Sequence, residues 1–177
     1  MAAIVQRLLF VSSPQPGQQP TGNQLTNSTA AMTNEQICER LNSILALELS
    51  GTMMYLHYSY FIYGHSMIPI VSWLREQANE GVAHATLVGD KITSLGGTPL
   101  TFPAADKFPW AFDTLNDMLR AALHLEKEAW GAYADLLRDI EAMPEQLGLR
   151  LFLEMQIQEE TGHIEEVEKM LKPDVVR

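Results

Sequence analysis

The sequence predicts an all-α chain, an antiparallel four-helix bundle with one long crossover between the second and third helices and no fifth helix. Three observations predict it. Apolar residues recur at three- and four-residue spacing in four separate segments, as on one face of a helix. The joins between those segments run short, long, short, and no stretch alternates apolar and polar residues as a half-buried strand would.

Each element has its own local argument. Thr33 followed by Gln36 forms a capping-box pattern and opens helix A, expected over about 34–63 through Ile37, Leu41, Ile44, Leu45, Tyr55 and Ile62. Gly64 interrupts the pattern. Pro69 suits a first helical turn, and helix B follows over about 68–95, through Trp73, Leu74, Val88 and Ile92, until Gly96 and Gly97. The next stretch, GGTPLTFPAADKFPWAFDT, holds three prolines and no sustained period, so it reads as a long connection. Thr114 and Asp117 open helix C, which runs to about Ala142. After a Met-Pro turn, helix D runs from about Glu145 until Pro173 stops it. The bundle is thus expected over residues 33–172, with a C-terminal tail over 173–177. Residues 1–32 are rich in Pro, Gln, Gly, Asn, Ser and Thr from Pro14 onward and read as a disordered N-terminal tail.

Composition narrows the function. Twelve Lys and Arg against 22 Asp and Glu leave a formal charge of −10, which repels phosphate backbones and anionic lipid and attracts cations. Nucleic acid and membrane are therefore not expected partners. No apolar run reaches the roughly 20 residues a spanning helix needs. The single cysteine, Cys38, cannot form an intrachain disulfide or a zinc finger, and a cytoplasmic location is expected.

The acidic residues that carry chemistry are those set in apolar surroundings. Glu48 lies in LALELSGT, where an unpaired carboxylate would be costly, and Glu126 lies in ALHLEKE. Helix B offers Glu80 and His84, four apart, and helix D offers Glu160 and His163, three apart; either step returns side chains to one helix face. His84 follows Glu48 by 36 residues and His163 follows Glu126 by 37, so the two hairpins read as copies of one unit. Four glutamates and two histidines between antiparallel helices suit two divalent ions held by mixed oxygen and nitrogen donors. Acidic helix faces are more often merely solvated, and it is the matched quartet that favours metal. His57 and His124 fall half a turn from their helix's glutamate and read as surface or interface residues. His65 reads as a loop residue, and Trp73 and Trp130 as core or dimer-contact residues.

With those residues in view, the chain resembles the ferritin-like diiron superfamily, nearest to bacterioferritin and ferritin, over residues 34–171. LALELSGTMMYL is similar to the family's first-helix segment, AALHLEKEAW to the third and EETGH to the fourth. The resemblance implies a ferritin-like bundle holding two iron ions as a diiron centre. The implied metal ligands are Glu48, Glu80, His84, Glu126, Glu160 and His163, with Glu48, Glu126, Glu160 and Tyr55 as the catalytic groups. It implies oxidation of Fe(II) by oxygen or peroxide, a ferroxidase activity serving iron storage or detoxification, and a homo-oligomer of at least two copies. Haem is not expected, because the family's axial methionine would fall on Val82. Alternatives are a non-catalytic metal-binding or structural bundle with a degenerate site, or a rubrerythrin-like oxidase or peroxidase, which the lack of a CxxC pair disfavours. One position departs from the family pattern. The second helix would carry a bridging glutamate at 81, and this chain has Gly81. Glu80 is expected to bend into the bridging place, with Gly81 leaving room for it, and alanine at 81 is expected to stabilise the helix.

Overall fold

In the computed structural model, residues 31–100 and 111–173 are described. Helix α1 spans Asn34–Tyr58, α2 Met67–Ser94, α3 Leu115–Asp139 and α4 Leu147–Met170, with a short 3-10 turn over Pro144–Gln146 leading into α4. The described residues contain no strand. Residues 1–30 of the expected N-terminal tail, the middle of the crossover and most of the C-terminal tail lie outside the described residues. Met32, just ahead of α1, packs partly buried against the core.

The capping box is formed at both of its bonds. Gln36 N donates to Thr33 Oγ1 at 3.3 Å and Thr33 N donates to Gln36 Oε1 at 2.9 Å. Thr114 is the N-cap of α3, its side chain accepting from Asp117 N. Helix α1 stops about one turn short of its expected end. Past Tyr58 the side chains of Tyr60, Phe61 and Tyr63 are half or more exposed, and Gly64 at φ 89° turns the chain. Gly96, at φ 85°, follows the C-cap of α2.

Cross-helix contacts give the topology. As residue numbers rise along α1 they fall along both neighbours, from Cys38 near Ile92 to Tyr55 on Trp73 in α2, and from Arg40 with Asp139 to Tyr55 with Glu126 in α3. The pair α3 and α4 is likewise antiparallel, with Trp130 on Thr161 and Lys127 on Glu168. Helices α2 and α3 are therefore parallel across the diagonal. A short turn cannot join parallel elements, so the connection between Ser94 and Leu115 has to traverse the bundle's length, about 40 Å for a helix of 28 residues. Its first part is tied to α1, where Asn42 donates to Thr98 O and accepts from Leu100 N.

The apolar core is split in two. One part gathers Ile37, Leu41, Ile44, Val88, Ile92, Tyr133, Leu136 and Leu153, and the other Met54, Tyr55, Tyr58, Leu74, Met118, Ala122 and Leu125. Between them runs a band of buried polar side chains that includes Glu48, Gln77, His84, Glu126, Gln156 and Glu160. Buried ionisable groups are costly unless paired or ligated, so this band calls for an explanation.

Candidate metal centre

Each helix contributes through one inward face. From α1, Glu48 is buried and accepts from Tyr133 Oη at 2.7 Å on Oε1, while its Oε2 lies 3.5 Å from His84 Nδ1. From α3, Glu126 is buried and accepts from Tyr55 Oη, and its Oε2 lies 4.0 Å from His163 Nδ1. From α4, Glu160 is only 1% exposed and stands between the two histidines, Oε1 at 3.1 Å from His84 Nδ1 and Oε2 at 3.9 Å from His163 Nδ1. The imidazole rings stack, centroids 5.5 Å apart.

These groups form two sets of converging donors, Glu48 with His84 and Glu160, and Glu126 with His163 and Glu160. Glu160 belongs to both. Its Oε2 is buried with no hydrogen-bond partner among the described residues. An unpartnered buried carboxylate oxygen facing a second carboxylate and an imidazole is a group for which a cation supplies the missing partner. The donor set, oxygen with imidazole nitrogen, suits a first-row divalent metal.

Glu80 stands elsewhere. It is about half exposed, accepts from Gln77 Nε2 at 3.1 Å, and its Oε2 meets His163 at Nε2, 3.2 Å away, on the side opposite the converging donors. Glu159 does the same for His84, with Oε2 3.3 Å from Nε2.

Gly81 does not open the room expected of it. A Cβ at this position would lie 2.5 Å from Thr52 Oγ1, so α1 and α2 close together here. The expectation that alanine at 81 stabilises the fold is therefore corrected: the methyl group collides with Thr52 before any gain in helix propensity is realised. The cavity bordered by Glu48, Thr52, Gly81, His84, Glu126 and Glu160 measures about 20 Å³, room for roughly one water molecule.

Electrostatics follow from burial and proximity. Burial alone would lower the His84 pKa, but hydrogen bonds with Glu160 and Glu48 outweigh it and carry it up to about 10. Burial, then the charge of Glu160, pushes Glu126 up to about 8. Burial also raises Glu160, against the opposing effect of His84. Tyr55 and Tyr133 are both raised, first by burial and then by the glutamate each bonds. In the metal-free molecule the cluster thus holds protons where a metal-loaded one would hold cations.

Tyr133, Gln77, Gln156 and Glu159 were not singled out from the sequence as site residues. The repeat that relates the hairpins could have found them: Tyr133 follows Glu126 by seven residues as Tyr55 follows Glu48, and Gln-x-x-Glu-x-x-x-His occurs at 77–84 and again at 156–163. Only Gly81 and Glu160 differ across this repeat of site residues. Gln156 is fully buried with both amide atoms unpartnered among the described residues, whereas Gln77 bonds Glu80. His57 is half-buried against Phe61, His124 and His65 are exposed, and none of the three joins the centre.

The model of the ferritin-like domain matches residues 38–173. The chain belongs to the ferritin-like family. Among solved structures, a ferritin-like diiron-carboxylate protein from Bacillus anthracis is 29% identical, with a TM-score of 0.72, covering 78% of this chain and 97% of that one. The Desulfovibrio desulfuricans bacterioferritin, a protein with a diiron site, shares the fold at 20% identity and a TM-score of 0.70, over 78% and 79% of the two chains. No curated protein matches. Among the described residues of this ferritin-like chain, no helix is long and apolar enough to cross a membrane.

Proposed function

We propose that this ferritin-like chain binds two ferrous ions between its helices and oxidises them with oxygen or peroxide, for iron storage or detoxification. The observation that carries the reading is Glu160, a buried carboxylate shared by two donor sets, one of whose oxygens has no hydrogen-bond partner among the described residues. Glu48 and His84 would hold one ion, Glu126 and His163 the other, and Glu160 both. Bound iron supplies the electrons. The protein's part is to fix the donors and exclude bulk water: Tyr133 and Tyr55 each donate to one terminal carboxylate, leaving its second oxygen aimed inward. Glu80 and Glu159 each hold the outer nitrogen of a histidine, so that Nδ1 faces the ions.

The reading is tested by anaerobic Fe(II) titration followed by exposure to air. Two ions per chain and a subsequent rise in ferric absorbance are expected, and Glu160→Gln is expected to lower the stoichiometry below two. Absence of Fe(II) binding would leave a structural bundle.

A second reading, a metal-binding protein without ferroxidase turnover, is favoured by one observation. Among the described residues only three carboxylates belong to the two donor sets, one negative charge short of balancing two divalent ions, and Thr52 closes the side from which a fourth would come. Binding of two ions without oxidation in air would establish it.

A further inference from the structure

The repeat that relates the two hairpins breaks at one buried amide. Gln77 and Gln156 hold matching places, three residues before Glu80 and Glu159 and seven before His84 and His163. Gln77 donates from Nε2 to Glu80 at 3.1 Å. Gln156 is fully buried one helical turn before Glu160, and neither its Nε2 nor its Oε1 has a hydrogen-bond partner among the described residues. A buried amide with both polar atoms open costs stability, and its place in the chain calls for a reason.

Tyr133 supplies one. It is fully buried and donates its hydroxyl proton to Glu48 Oε1 at 2.7 Å, so its oxygen can only accept a further bond. Burial and the charge of Glu48 raise the pKa of this phenol, and Gln156 opposes them, as a donor beside the oxygen does. The amide therefore stands at Tyr133 with a proton to offer, although the bond is not closed in this structure.

The two donor sets are unequal on the same side. His84 Nδ1 lies 3.1 Å from Glu160 and 3.5 Å from Glu48, and all three side chains are buried. His163 Nδ1 lies 3.9 Å from Glu160 and 4.0 Å from Glu126, and His163 is the more exposed of the two histidines. Donors already gathered and shielded need less ordering when an ion binds. We infer that Gln156 is a positioning residue of the Glu48–His84 position: it donates to Tyr133 when Glu48 holds an ion, fixes Glu48 through that hydroxyl, and makes this position the tighter of the two. The inference rests on the two-ion binding of the proposed function and not on oxidation.

The test uses the full-length chain stripped of metal, Zn(II) titrated against a chromophoric chelator, and urea unfolding. Two steps of unequal affinity are expected in the parent. Gln156→Met keeps the length of the side chain and removes both open polar atoms, so the metal-free chain should be at least as stable in urea. The tighter step should weaken about tenfold and the weaker step should not change. An amide with a merely structural role would move stability and leave both steps alone. Tyr133→Phe should also weaken the tighter step, and Gln156→Met added to it should bring no further loss. Equal steps in the parent, an unchanged tighter step in Gln156→Met, or the same tenfold loss in the Tyr133→Phe background would overturn the inference while two-ion binding stands. A parent that binds no metal would overturn the proposed function with it.

Discussion

A histidine ring has two nitrogens, and in this site all four have a carboxylate partner. Nδ1 of His84 and of His163 faces the converging glutamates, while Nε2 of each meets a half-exposed carboxylate, Glu159 for His84 and Glu80 for His163. A carboxylate behind a ligating imidazole fixes its tautomer and orientation and raises its basicity, and removing one commonly costs 10–100-fold in metal affinity without removing the metal. Glu80→Ala is therefore expected to retain two ions per chain while weakening binding about 10–100-fold. Glu159→Ala, its counterpart across the repeat, should behave alike. Metal titration monitored by Co(II) absorption decides the matter. A fall to one ion per chain in Glu80→Ala would make Glu80 a direct ligand in place of the glutamate missing at 81.

At the scale of the elements, the approach of α1 to α2 decides what Gly81 means. Alanine at this position would gain about 1 kcal/mol of helix propensity but would bring a methyl group to within 2.5 Å of Thr52 Oγ1. Thr52 also donates to Glu48 O at 3.0 Å, so turning its side chain away sacrifices that bond. Overpacking of this kind costs about 1–3 kcal/mol. Gly81→Ala should then be neutral to destabilising by about 2 kcal/mol in the parent chain and stabilising by about 1 kcal/mol once Thr52→Ala has removed the obstacle. Urea unfolding of the four members of this cycle measures the coupling, and equal effects in both backgrounds would show that Thr52 does not limit the contact. This is also where sequence reasoning runs out. The helices, their order, the crossover and the inward Glu48, His84, Glu126, Glu160 and His163 were legible from period, caps and spacing. How closely α1 approaches α2 is a tertiary distance with no local trace, so Gly81 read as open space. Glu80 read as an inward ligand because spacing gives a helix face, and a side chain at the edge of that face can turn either way.

For the molecule as a whole, the buried cluster links stability to pH. In the metal-free protein Glu126 titrates at about 8 instead of near 4.5, and His84 at about 10 instead of near 6.5. Both are raised, so between the unfolded and folded values the native chain binds more protons than the unfolded chain, and stability falls as pH rises. The contribution of Glu126 is lost from about pH 4.5 to about 8, and that of His84 from about 6.5 to about 10. Asp117 and Glu168, both lowered by hydrogen-bonding partners on the surface, have the opposite sign, but they act in the acid range below this window. Cations reverse the dependence, because they bind the deprotonated ligands and displace the same protons. The thermal midpoint of the metal-free chain should therefore decline from pH 5.5 to 8.5, while the stabilisation given by a fixed concentration of Zn(II) should grow over that range. Calorimetric titration at pH 7 in buffers of different ionisation enthalpy should also show protons released on binding. A metal-free midpoint that rises with pH, together with binding that releases no protons, would mean that Glu126 and Glu160 are already ionised and balanced without a metal.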